Sequence, residues 1–200
     1  MSRSHLFSIL ALLCTAQVSA QLLPQAALDT VRTVRSMERA MKDPANVYKL
    51  DLSGKKLREL PPQVRDLPNL NVLELGSNRL KELPAWLAEL PHLQVLKAPR
   101  NRFSVFPEVV CSLKHLKRLD MSRNRLSVLP ACIGDLTELF ALDLWSNDLG
   151  EFPESMSKLE ALRFMDLRAI QYEQHEMDRI QGLVPRAKIY FSAPCNCGIQ

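Results

Sequence analysis

One interval governs this chain. Pro61, Pro84, Pro107, Pro130 and Pro153 lie 23 residues apart, each preceded by Leu or Phe. The same step joins Leu50, Leu73, Leu96, Leu119, Leu142 and Met165, and again Leu52, Leu75, Ala98, Met121, Leu144 and Leu167. A third column is Asn78, Asn101, Asn124 and Asn147. A unit this short cannot bury an apolar face alone, so the units must stack and share one continuous core. That excludes most globular topologies at once.

The chemistry within a unit says how it stacks. Leu73 and Leu75 are two residues apart, which puts both on one side of a short strand. Strands of successive units then lie ~4.8 Å apart as a parallel sheet. The Asn column follows each strand, where an inward amide can satisfy backbone groups freed as the chain turns away. Proline after each turn ends pairing because it has no N–H. Leu83, Leu87, Leu90 and Leu93 suit a short helical or 3₁₀ turn on the outer side. The unit from Leu70 to Leu80 reads L-x-x-L-x-L-x-x-N-x-L, and six such units in register resemble the leucine-rich repeat family over residues 48–191. The resemblance implies an α/β solenoid, a horseshoe with a curved parallel β-sheet and about six repeats. It also implies an asparagine ladder at Asn78, Asn101, Asn124 and Asn147, and a role in recognition.

The ends depart from the pattern, as capping units do. The first unit carries Lys55 in the Asn column and the sixth Ile170. Residues 48–172 form the repeats. Residues 21–47 are expected as a helical N-terminal cap, because Ala27, Leu28, Val31, Val34, Met37 and Met41 keep helical spacing over 26–42 before Asp43-Pro44. Residues 173–200 form a C-terminal cap, with a helix around Met177, Ile180 and Leu183 and a closing strand at 187–191. Ahead of all this, Arg3, an apolar run at 6–13 and the small residues Val18-Ser19-Ala20 read as a signal peptide cleaved after Ala20. The apolar run is short of the ~20 residues that span a bilayer, so the expectation is a secreted or periplasmic protein, not an integral membrane one. Cys14 follows Leu13, where a bacterial lipobox wants a small residue.

Catalytic patterns are missing. There is no G-x-S-x-G, H-E-x-x-H, C-x-x-C or Gly-rich phosphate loop, so no enzyme activity and no cofactor are expected. A net charge of +4 and a pI near 8.9 fall short of the concentrated positive face of a nucleic-acid binder. His92, His115 and Glu138 share a column, but an exposed turn position explains them without a metal. Cys111 and Cys132, two columns out of register, are expected as small core thiols and not as a bridge. Cys195-Asn196-Cys197 can close a local disulfide, join two molecules or tie down the cap.

Function is expected on the concave side, where strand residues alternate with the core leucines. One column reads Asp51, Glu74, Lys97, Asp120, Asp143 and Asp166, with Arg100 and Arg123 beside it. Lys56, Arg79, Arg102 and Arg125 form a cationic row at the strand exit. Mutual neutralisation between rows competes with any binding role. The column Ser53, Gly76, Pro99, Ser122, Trp145 and Arg168 stays small until Trp145, and Phe164 stands on the next strand. The expected ligand surface therefore centres on Trp145 and Phe164, with Asp120, Asp143, Asp166, Arg123 and Arg168 around them and Arg102 and Arg125 as peripheral charges. A protein or peptide is the expected partner. The alternatives are an anionic glycan or envelope polymer held by the arginine rows, or a structural envelope role.

Overall fold

The computed structural model describes residues 22–192. Eight parallel strands form one open sheet in chain order: β1 Thr33–Val34, β2 Lys49–Asp51, β3 Val72–Glu74, β4 Val95–Lys97, β5 Arg118–Asp120, β6 Ala141–Asp143, β7 Phe164–Asp166 and β8 Lys188–Tyr190. From β2 to β7 the register follows the period, Leu50 opposite Leu73, Leu96, Leu119, Leu142 and Met165. The seven strands expected from the repeat are present, and β1 is an addition to them.

Between strands the chain returns through five-residue 3₁₀ turns such as Ala85–Glu89, Glu108–Ser112 and Ala131–Asp135, each entered through an extended proline. The leucines of strand and turn meet in one continuous core. Where the chain leaves the strand it needs a left-handed residue. Gly54 takes that position in the first unit, and Ser77, Arg100, Arg123, Ser146 and Ala169 take it in the later ones at φ of 53–63°. Non-glycine residues pay roughly 1–2 kcal/mol there.

The ladder offsets this. Asn124 Nδ2 donates to Ala98 O of the preceding unit at 3.1 Å and to Met121 O of its own at 2.9 Å, while its Oδ1 accepts from Phe103 N at 3.2 Å. Asn78, Asn101 and Asn147 repeat the pattern. Asn78, Asn124 and Asn147 are buried, but Asn101 is half-buried, with its bonds intact.

Three expectations need correction. Residues 26–42 are not one helix. They form two single-turn helices, α1 Gln25–Leu28 and α2 Met37–Ala40, with β1 between them. Pairing of Thr33 and Val34 with Lys49 and Leu50 extends the sheet by a strand, which satisfies more backbone at the open edge than a helix laid over it could. The second correction is Cys111–Cys132, which form a disulfide with Cα atoms 5.7 Å apart. Adjacent 3₁₀ turns rise only ~2 Å per residue, so an offset of two positions leaves the sulfurs within reach. The third is minor: Asn101 is less enclosed than its neighbours. Cys195 and Cys197, like residues 1–20, lie outside the described residues. At the C-terminal end α3, Gln174–Leu183, covers the last core layer with Ile180 and Leu183, and β8 closes the sheet.

Candidate functional site

The concave face divides in two. Its first half is covered by the chain itself. Residues 22–29 cross β3 and β4, burying Leu28 between Val72 and Val95, and Leu23 packs beside them. Asn71 Oδ1 accepts from Leu23 N at 3.0 Å, and Gln94 Nε2 donates to Leu23 O at 2.9 Å. Asp29 then meets Arg118 of β5 at 2.9 Å. That hydrogen bond holds the Asp29 carboxyl below the usual range, against a weaker opposing effect of desolvation. The sequence offered no sign of this strap, since helical spacing of Leu28 pointed it elsewhere.

The second half is open. A hollow of about 330 Å³ lies over β4–β8, lined by Lys97, Arg118, Asp120, Ala141, Asp143, Phe164, Asp166 and Tyr190 among others. Phe164 is 43% exposed and packs edge-to-face on the equally exposed Phe140, ring centroids 5.4 Å apart. Phe140 and Tyr190 were not singled out from the sequence. Phe140 stands outside the repeat columns used to find strands, and Tyr190 belongs to the cap.

Charge along the acidic column is compensated unevenly. Glu74 sits between Lys49 and Lys97 at 3.3 and 3.0 Å, and Asp51 is 3.7 Å from Arg35. Further along, Asp166 is paired with Arg168 at 2.6 Å. Asp143 accepts only the Trp145 backbone N–H, at 3.0 Å, among the hydrogen bonds of the described residues. Asp120 likewise serves Ser122. Burial pushes the Asp143 carboxyl up to about 6; the Trp145 N–H opposes the shift, and repulsion from Asp120 and Asp166 adds to it. Neutralisation between rows thus operates in the strap half and fades in the open half.

Trp145 and Phe164 do not form one cluster. Phe164 pairs with Ala141, four residues before Trp145, and lines the open hollow, whose lining does not include Trp145. Trp145 is half-buried beneath the Arg123 guanidinium, 4.2 Å from the ring centroid. That spends Arg123 on the indole and not on a carboxylate. Arg102 and Arg125 lie away from both rings, lining a separate hollow of about 410 Å³ with Lys81 and Ser104. The histidine column is split as well: His115 meets Glu138 at 3.0 Å, whereas His92 contacts Pro68 O. Among the described residues no group of three or more His, Cys, Asp or Glu could hold a metal ion.

Parallel strands, 3₁₀ returns, an asparagine ladder and an open concave sheet define a leucine-rich solenoid. The chain belongs to the leucine-rich repeat family, whose model, described as leucine rich repeat, matches residues 45–103 and 100–149. It is similar in structure to a leucine-rich repeat protein of Leptospira interrogans, at 27% identity and a TM-score of 0.61, over 82% of this chain and 47% of that one. It also shares its fold with an internalin C2 of Listeria monocytogenes, at 19% identity and a TM-score of 0.63, over 81% and 68% of the two chains. The chain spans about half the length of the Leptospira protein. No curated protein matches it. Among the described residues no helix is long and apolar enough to cross a membrane.

Proposed function

We propose that this is an exported recognition module that binds a protein or peptide through the open half of its concave sheet, without catalysis. The observation that carries the reading is the exposed Phe140–Phe164 pair beside a hollow rimmed by both charge signs. Apolar anchors inside a mixed polar rim suit an oriented peptide or protein surface better than a uniform polyanion. Asp143 adds support, because a half-desolvated carboxylate without an ion-pair partner among the described residues is matched by a lysine or arginine arriving on a ligand. Trp145 under Arg123 marks a second contact further along the same strands. Export fits the Cys111–Cys132 bridge, since disulfides persist in oxidising compartments. The mature chain then begins at Gln21, which mass spectrometry of the localised protein tests directly.

A second reading rests on the exposed row Arg79, Lys81, Arg102 and Arg125, whose hollows are lined by none of the aromatics. An anionic glycan held there would bind weakly at high salt, as charges are screened beyond ~8 Å at physiological strength. The deciding experiment captures partners from the native medium or envelope with wild-type protein and with Phe164→Ala, Trp145→Ala and Arg102→Ala/Arg125→Ala. Loss of an aromatic anchor should weaken binding about 30-fold, equivalent to about 2 kcal/mol. Binding that ignores both aromatic variants but disappears with the arginine pair belongs to the glycan reading.

A further inference from the structure

We propose that residues 22–29 are a displaceable occupant of the concave face, seated in a peptide-binding strip that also accepts such a segment from outside. The chemistry of the strip is that of a reader of one backbone unit followed by a turn of helix. Asn71 and Gln94, immediately before β3 and β4 and hydrogen-bonded to each other, clasp the N–H and the C=O of one residue, Leu23. Val72 and Val95 take an apolar side chain, here Leu28. Arg118 receives a carboxylate at the edge, here Asp29. A peptide with a leucine, then a turn of helix ending in a second apolar residue and a following acidic one, meets all three demands.

The strap fills this strip imperfectly. Gln94 is fully buried, yet its Oε1 has no hydrogen-bond partner among the described residues. A buried acceptor left without a donor is a standing penalty, which an occupant offering one more N–H would remove. The grip is also light. One leucine is fully buried, while Pro24, Ala26, Asp29 and Thr30 are exposed, and the Asp29–Arg118 pair is open to water on the Asp29 side. Segments with few buried contacts open locally well below the global unfolding free energy. Arg118 also lines the open hollow, so release of the strap would join both halves into a single face. This deepens the peptide-binding reading given above by naming a second stretch of the same face and what covers it.

The test uses a fluorescent synthetic peptide with the sequence of residues 21–31, QLLPQAALDTV. In the wild type the tethered strap competes at an effective concentration on the order of millimolar, so the peptide should bind weakly. Leu28→Asp unseats the strap and should bind the peptide at least tenfold more tightly. Adding Val95→Asp should abolish that gain, and a peptide with its aspartate changed to lysine should bind worse than the parent. Amide exchange on the unmodified protein gives an independent readout: residues 22–29 should exchange faster than β3 and β4. The proposal fails if Leu28→Asp gains nothing, if the gain survives Val95→Asp, or if the strap exchanges only as fast as the core strands. An unfolded Leu28→Asp protein would also overturn it, because the strap would then be part of the core. None of these outcomes bears on Phe164 or Trp145, so the two readings stand or fall separately.

Discussion

At the scale of single residues, the ladder and the acidic column were the most legible parts of the sequence, and they behave oppositely. An asparagine that recurs after four successive strands has one structural job, and Asn124 performs it with four bonds to two units. Removing its amide strands buried groups at ~1–3 kcal/mol each. Asn124→Ala should therefore lower the melting temperature by several degrees, at roughly 2–4 °C per kcal/mol for a chain of this size. Lys114→Ala, at an exposed side chain with one long 3.4 Å contact, should leave it unchanged. Equal shifts in calorimetry would refute the ladder. Aspartates in the column could not be ranked from sequence, because their difference lies in which cation reaches them. Asp120 and Asp143 have no ion-pair partner among the described residues, and Asp143 is the one whose carboxyl burial raises. A carboxyl with a folded-state pKa near 6, against 3.8 unfolded, binds protons more readily when folded. Its ionisation opposes folding fully above pH 6, and the penalty fades as pH falls toward 3.8. Asp143→Asn should thus melt higher than wild type at pH 7.5, with the advantage shrinking to nothing near pH 4. An advantage that is constant across pH would mean burial is not its cause. A stability cost kept at one site of an open face is what a binding carboxylate would impose.

Elements divide by whether the period alone places them. The strands from β2 to β7 needed only the leucine columns, and their register came with the spacing. Both misread elements depend on contacts that no local pattern carries. Helical spacing from Ala27 to Met41 is real, yet Leu28 turns to the concave face, Val34 pairs in the sheet and Ala40 enters the core, three destinations that one helix cannot serve. The Cys111–Cys132 bridge was obscured because repeat columns treat neighbouring turns as though they aligned like strands. Glu108–Ser112 and Ala131–Asp135 lie side by side but offset. With the cysteines 21 positions apart in sequence, the closed loop should stabilise the fold by about 3 kcal/mol on the chain-entropy account. Cys111→Ala/Cys132→Ala should lower the denaturation midpoint accordingly, and a reductant should do the same to wild type but nothing to the double variant. If reductant moves both proteins alike, the bridge contributes nothing. The candidate site was half legible for a related reason. Columns announced Phe164 and the aspartates, but Phe140 stands in a column that the leucine spacing does not mark, and Tyr190 and the strap reach the face from the two ends of the chain.

The whole molecule is quasi-one-dimensional: each unit touches its neighbours and nothing farther, so stability is approximately a sum over adjacent interfaces. The strap is the exception, since residues 23 and 29 join β3, β4 and β5 across the face. Damage at one end should therefore travel inward by steps and be strongest at the damaged end. The C-terminal cap offers the cleanest place to start. Ile180, Leu183, Val184 and Ala187 are buried against the last core layer, and α3 lies far from the strap. A carboxylate there meets apolar neighbours without a partner, and such burial costs several kcal/mol unless the helix lifts away. Lifting is the cheaper response, because α3 contributes one face and its removal leaves earlier interfaces intact. In Leu183→Asp, amide exchange should rise first and most at β8 and β7, to a lesser degree at β6, and hardly at β3 and β4, where the strap adds a further tie. Hydrogen-exchange mass spectrometry resolves this gradient. Uniform acceleration from β2 to β8 would mean that the solenoid opens as one cooperative unit, and that its caps are not independent of the face they flank.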